Sequence, residues 1–287
     1  MDFVDRCLAH GTLDGGNPTA IQGLSVYRRS APSEPGNAVY KRSIFLVAQG
    51  RKQALVGGDA FTYDPDNYLV ISVPLPVMSQ ILAASPEEPF LSLAIDFELE
   101  AVREIMTRAG EVLAPSATEP PQRGLAACPI TAPLRDIAGR LLDLLDRPED
   151  IPVLAPLYRR ELLYHVLKGP RGGFLRAVAM GYGQQHAIAE VLTAIHVDCT
   201  QNFTVAGLAA MAGMSESVFY EAFKSVTAAT PLQYIKRLRL QEAHRQLTLG
   251  LNNVSGAAYE VGYNSLSQFS REFTRVFGAN PSAYLPR

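Results

Sequence analysis

The sequence predicts an α+β protein: a strand-rich N-terminal half followed by an all-helical C-terminal third with two helix-turn-helix units. Three observations carry this. Short β-rich runs recur about every ten residues between residues 20 and 100. The apolar period then changes from that of a strand to that of a helix near residue 98. Finally, the last 80 residues contain an internal repeat.

The strand runs are residues 43–49, 53–56, 68–73 and 90–97. Turn-forming residues separate them: Gly50-Arg51, Gly57-Gly58-Asp59, Asp64-Pro65-Asp66-Asn67 and Ser85-Pro86-Glu87-Glu88-Pro89. Such spacing fits a sandwich or small barrel. From 98 to 113, Leu99, Val102, Ile105, Met106 and Ala109 fall on one helical face. Residues 114–133 contain five prolines and read as a loop. Two further helices follow at 134–145 and about 155–167, the second starting near Pro156. After the Gly169-Pro170-Arg171-Gly172-Gly173 break, only helical patterns remain.

In the repeat, residues 215–234 align with 265–284. Eight of the twenty positions are identical: Ser215/Ser265, Ser217/Ser267, Phe219/Phe269, Phe223/Phe273, Val226/Val276, Ala229/Ala279, Pro231/Pro281 and Tyr234/Tyr284. Upstream, Ala209/Ala258 and Gly213/Gly262 match at an offset shorter by one, so the second turn is one residue longer. Each copy reads as a short apolar helix, a Gly turn, a Ser cap and a second helix. That is a helix-turn-helix. The second helix of the first copy buries Phe219, Ala222, Phe223 and Val226, and that of the second copy Phe269, Phe273, Val276 and Phe277. Residues 231–247 connect the copies as one helix of about 25 Å. A spacer of that length suits two reading helices about one DNA turn apart.

The 287 residues imply two domains, with expected boundaries 1–175 and 185–287. With 47% hydrophobic and 19% charged residues the chain is not of the disordered class. The net charge of −2 argues against a protein that coats nucleic acid by bulk charge. Residues 186–287 hold eight basic and seven acidic side chains, and 1–185 hold eighteen and twenty-one. The C-terminal part is therefore expected to bind DNA with a shallow salt dependence. Cys7, Cys128 and Cys199 are odd in number and far apart, so no disulfide framework or zinc ribbon is expected, and a reducing, cytoplasmic setting is. No apolar run reaches 18 residues and no leader is recognisable, so no membrane association is expected.

No catalytic role is expected. None of the five histidines (His10, His165, His186, His196 and His244) lies between residues 20 and 100, so a metal-dependent barrel enzyme lacks its ligands. No metal and no cofactor are expected. No GxSxG, P-loop or GxGxxG motif is present. Asp64, Asp66, Glu87 and Glu88 sit in turns and are read as solvated. Cys7 and Cys128 are read as ordinary thiols in preference to redox sensors. Phe45, Phe61, Tyr63, Tyr68, Ile71, Phe90 and Leu93 either line a small-molecule cavity or fill the core, and the core is favoured.

The stretch Ala258-x-x-Val261-Gly262-Tyr263-x-Ser265-x-Ser267-x-Phe269-x-Arg271-x-Phe273-x-x-x-Phe277-Gly278-x-x-Pro281-x-x-Tyr284 resembles the signature of AraC/XylS-type transcription regulators. The likeness covers about 187–287. Upstream, Tyr-Leu-Val-Ile-Ser-Val-x-Leu-Pro-Val at 68–77, Ser-Pro-Glu-Glu-Pro at 85–89 and Arg-Arg-Glu-Leu-Leu-Tyr…Gly-Pro-Arg-Gly at 159–172 resemble the cupin-like N-terminal domain of one subgroup.

The resemblance implies a cupin-like β-barrel with flanking helices that senses a small molecule, mediates dimerisation, or both. It implies a regulator of double-stranded promoter DNA, with activation and repression both open and activation the working expectation, RNA polymerase as a partner, and a homodimer among the states it allows. Positions matching Ser217, Tyr220, Glu221, Ser267, Gln268 and Arg271 would face the major groove. Lys224 and Ser270 share the exposed face and complete the set expected to contact DNA. Their side chains suit base readout, since Arg pairs with guanine, Gln with adenine, and Glu accepts from cytosine. Ser215 and Ser265 are read as helix caps. Lys236, Arg237 and Arg239 on the connecting helix either grip phosphate or support the fold. The apolar stripes of 134–167 either form a dimer interface or pack on their own barrel, the latter favoured. The competing reading is a small-molecule enzyme or binding protein with an appended, non-essential helix-turn-helix. Turnover without DNA would favour it, and the intact pattern in both copies argues against it.

Overall fold

The computed structural model describes residues 2–113, 123–181 and 183–286. Helix α1 (Phe3–His10) leads into ten strands: β1 (Gly15–Pro18), β2 (Leu24–Arg29), β3 (Gly36–Tyr40), β4 (Ser43–Gln49), β5 (Arg51–Val56), β6 (Asp59–Tyr63), β7 (Asn67–Ile71), β8 (Leu75–Ala83), β9 (Phe90–Asp96) and β10 (Leu125–Pro129). They form two antiparallel sheets, ordered β1-β2-β9-β4-β7-β10 and β3-β8-β5-β6. Face-to-face packing follows from alternation. Phe45 from the larger sheet meets Tyr40 at 5.2 Å and Tyr63 at 6.2 Å from the smaller one. Phe45 is half-buried and Val47, of the same parity, fully so, while Ile44 and Leu46 on the other face are fully buried, so β4 is covered on both faces. Helix α1 packs on β4 and β9. Helices α2 (Leu99–Ala109), α3 (Ala132–Asp143) and α4 (Ile151–Lys168) follow as a layer, α3 against α1 and α4.

All four expected strands are present, but they are fewer than half of the set. Within the expected loop 114–133, Leu125–Pro129 is a strand that pairs with β7, while 114–122 lies outside the described residues. Pro156 sits inside α4 and does not start it; Pro152 occupies the first turn instead. Leu134, Ile137, Leu141, Leu162, Leu163 and Val166 are buried within this chain's own core, as favoured.

The C-terminal part is helical: α5 (Gly172–Met180), α6 (Gly183–Val197), α7 (Val205–Met211), α8 (Glu216–Thr227), α9 (Pro231–Thr248), α10 (Val254–Glu260) and α11 (Leu266–Phe277). Pairs α7–α8 and α10–α11 are the two repeat copies. Gly213 and Gly262 hold φ of 65° and 84° where each first helix stops, a conformation most side chains resist. Thr204 and Asn253 cap α7 and α10 through Gly207 N and Gly256 N. Thr230 and Gln233 form a capping box ahead of α9, with Pro231 in its first turn. Ser265 caps α11 through Gln268 N at 3.3 Å, whereas Ser215 occupies the cap position of α8 without a side-chain bond.

One core runs from both sheets through α6, α7 and α8 to Leu238 in the first half of α9. A second begins at Leu240 and holds α10, α11 and Tyr284. Phe219, Phe223, Phe269 and Phe273 are fully buried, while Val276 and Phe277 pack only at the edge of the second core.

Candidate nucleic-acid interface and barrel cleft

The buried stripe of each second helix leaves its opposite face outward. On α8, Ser217, Glu221 and Lys224 are exposed and Tyr220 is half-buried. On α11, Ser267, Gln268 and Arg271 are exposed and Ser270 is half-buried. Each helix thus gathers its four candidate residues on one side. Ser217 and Glu221 also form one wall of a groove whose other wall is Gln184, Gln185 and Ile188 of α6.

The α11 face is braced from behind. Glu272 accepts from Lys236 Nζ and Tyr263 Oη, each at 2.8 Å, and from Gln268 Nε2 at 3.3 Å. Burial opposes its ionisation, but these three donors win and hold the carboxyl below its ordinary range. Gln268 thus lends one amide hydrogen to Glu272. The basic cluster on α9 divides by role. Arg239 donates to the carbonyls of Cys199, Thr200, Gln201 and Gly262, and Lys236 pairs with Glu272. Only Arg237 of the three is exposed.

The barrel side holds the C-terminal ends of both α8 and α11. Arg123 donates to the Lys224 and Ser225 carbonyls at 2.9 and 2.7 Å, which suits a cation at a helix C-terminus, and pairs with Asp59 at 2.8 Å. Gly57 lies so close to Ala228 that a Cβ there would sit 2.1 Å from the alanine's own. Asn37 of β3 donates to the Val276 carbonyl of α11 at 3.0 Å. Between them, Tyr234 of α9 donates to the Pro74 carbonyl at 2.8 Å, so its hydroxyl oxygen accepts from His196 Nε2 at 2.6 Å. The imidazole is then a neutral Nε2–H tautomer. Burial first, and the Arg42 guanidinium second, pull its pKa down to about 4.

A cleft of about 710 Å³ opens between the two sheets, with Tyr27, Arg29, Tyr40, Phe45, Lys52 and Ser92 among its walls and Asn37 at its rim. Lys52 Nζ lies 4.7 Å from the Tyr27 ring centroid and 5.6 Å from that of Tyr40. Of the seven residues weighed from the sequence, Phe45 lines this cleft, whereas Tyr63, Tyr68, Ile71, Phe90 and Leu93 are buried in the core. Cys7 and Cys128 are buried thiols. Burial pushes Cys7 up to about 12 and raises Cys128 as well, which disfavours the reactive thiolate. Asp64 serves its own turn, accepting from Asp66 N and Asn67 Nδ2.

The sequence profile of the AraC-type transcriptional regulator N-terminus matches residues 20–174, more than half of the chain. The chain belongs to the AraC family of transcriptional regulators. A helix-turn-helix domain profile matches residues 208–287, so all of α6, with most of α5 and the start of α7, lies between the two matched segments. Among curated AraC relatives, a putative AraC-like transcription regulator of Streptomyces lividans is 34% identical over 149 residues, covering 50% of this chain and 47% of that protein. One of Streptomyces antibioticus is 39% identical over 97 residues, covering 34% of this chain and 32% of that protein. The chain thus matches between a third and a half of the length of these relatives. ToxT of Vibrio cholerae, solved with an unsaturated fatty acid bound, shares the fold at a TM-score of 0.57 and 13% identity, over 91% of this chain and 93% of ToxT.

Sequence reasoning missed Asn37, Lys52 and Arg123. Lys52 carried a usable signal: in β5 it has the same parity as Ala54 and Val56, both buried, so it too turns inward. Asn37 and Arg123 carried none, because the helix-end carbonyls they bond lie more than 100 residues away.

Proposed function

We propose that the chain is a sequence-specific transcription activator that reads promoter DNA through α8 and α11, with its barrel as a sensor. The observation that carries this reading is the pair of intact helix-turn-helix units, each presenting four polar or charged side chains on the face opposite a phenylalanine core. Ser217, Tyr220, Glu221 and Lys224 contact one major-groove segment, and Ser267, Gln268, Ser270 and Arg271 the next. Residues 1–175 act as the sensor and 185–287 as the DNA-reading unit. Arg123, Asn37 and Gly57 supply the mechanical link, since they tie the barrel to the ends of both reading helices. A small molecule in the cleft beside Asn37 changes how the second unit is held, and so changes affinity for DNA. The protein works in the cytoplasm as a homodimer, recruits RNA polymerase, and catalyses no reaction itself.

Selection of genomic fragments bound by the purified full chain tests the reading. The expected outcome is one bipartite motif whose two blocks lie about ten base pairs apart. Recovery of the same fragments with and without protein would overturn it.

A further inference from the structure

The cleft between the sheets has a charge that the fold leaves unanswered. Among the described residues, Lys52 has no carboxylate within ion-pair distance, and its ammonium rests against the Tyr27 and Tyr40 rings. The other charged groups facing the cleft are already engaged or stand at its edge. Asp14 accepts from Ser30 and lies 3.8 Å from Arg28, Arg29 donates to the Tyr27 hydroxyl, and Glu34 is exposed. Ser92 is 2% exposed, lines the cleft, and among the described residues its hydroxyl has no hydrogen-bond partner. A cation and a free hydroxyl thus face a space walled by three aromatic rings.

We propose that this cleft binds a small organic carboxylate, its anion paired with Lys52 and hydrogen-bonded by Ser92, and its apolar body against Tyr27, Tyr40 and Phe45. This rests on the sensor reading above and names the ligand class for it. A neutral ligand would leave the ammonium unpaired in a partly dry site, whereas a carboxylate supplies the missing charge and can also accept from the serine hydroxyl. The aromatic walls favour an organic anion over a bare inorganic one, because ring faces add buried apolar area that phosphate cannot use.

Isothermal titration of the full chain with 4-phenylbutanoate and its neutral isostere 4-phenylbutanamide reads the charge directly. Inorganic phosphate serves as the control for charge without an apolar body. The carboxylate is expected to bind at least about tenfold tighter than the amide, and phosphate not at all. K52M should erase the preference and K52R should keep it; thermal melting of both variants establishes that they are folded. Equal binding of carboxylate and amide, retention of the preference in K52M, or no carboxylate binding at millimolar concentration would each overturn the proposal. Because no DNA is present, its outcome is independent of the fragment selection. Carboxylate binding by a chain that selects no DNA would sink the regulator reading and leave this one standing.

Discussion

Phe223→Ala probes whether the first helix-turn-helix and the barrel share one core. Phe223 is fully buried, edge-on to Tyr234 at 5.4 Å and tilted against Phe219 at 5.5 Å. Truncating such a ring removes its transfer energy and leaves a cavity, for about 3–5 kcal/mol. Each lost aromatic pair is worth about 0.5–1.5 kcal/mol of this. The cavity is bounded on one side by Tyr234, whose hydroxyl is tied to Pro74 and His196, so the site collapses poorly and the cost lies in the upper part of the range. For a unit of this size each kcal/mol lowers the melting temperature by about 2–4 °C, giving a fall of roughly 10 °C. Calorimetry would measure the fall, and hydrogen exchange would locate it. In the Phe223→Ala variant, amides of β9 in the barrel should lose protection together with those of α7 and α8. Phe273→Ala removes an equally buried ring from the second core, and should expose α10 and α11 while β9 stays protected. If Phe223→Ala exposed α7 and α8 but left β9 as in the wild type, the shared core would be refuted.

His196 gives a pH dependence with a definite sign. Its folded pKa, about 4, lies below the unfolded value near 6.5, so between these values the unfolded chain takes up a proton that the fold refuses. Stability therefore falls as the pH drops through that window, by at most about 3 kcal/mol, and His196→Gln should flatten this part of a denaturation series run from pH 7 to pH 4. Arg239→Ala should cost about 2 kcal/mol in denaturant unfolding, because four carbonyls lose a charged donor. Arg237→Ala should leave stability alone and lower the salt slope of DNA binding by about one, and an unchanged slope would remove Arg237 from the phosphate contacts. Asn37→Ala frees the end of α11 from β3. Binding to sites whose two blocks are moved apart by one or two base pairs should then be penalised less than in the wild type. The same spacing preference in both proteins would show that Asn37 does not orient the second unit.

The helical third was the most legible part of the sequence, and the reason is physical. Two copies of a 3.6-residue pattern, each punctuated by a Gly turn and a Ser cap, leave few alternatives, and Phe219, Phe223, Phe269 and Phe273 are all buried as the pattern requires. The barrel was half legible. Strands β4, β7 and β9 announce themselves because they are covered on both faces and read as apolar runs. Strands β1, β3 and β6 carry Gly, Asn, Asp and half-exposed residues, and β10 is mostly small residues behind a proline-rich stretch. Their identity is fixed by pairing with distant partners, which no local window contains. The same holds for function. The outward faces of α8 and α11 followed from helical geometry, whereas Lys52 gained its meaning only once the fold set it between Tyr27 of the facing sheet and Tyr40 of its own. The sequence left Arg239 open between a phosphate grip and a brace; it braces, and the loop it holds returns to α9 from 40 residues upstream, where no local window could show it.

The central claim is that the two outward helix faces read DNA sequence. Its most direct test is a titration of the full chain against one selected site and a scrambled duplex at the same salt concentration, repeated with Arg271→Ala. The wild type should prefer the selected site by at least about a thousandfold. Arg271→Ala should lose about 1–3 kcal/mol on that site and little on the scrambled one. Equal wild-type affinity for both duplexes would contradict the account.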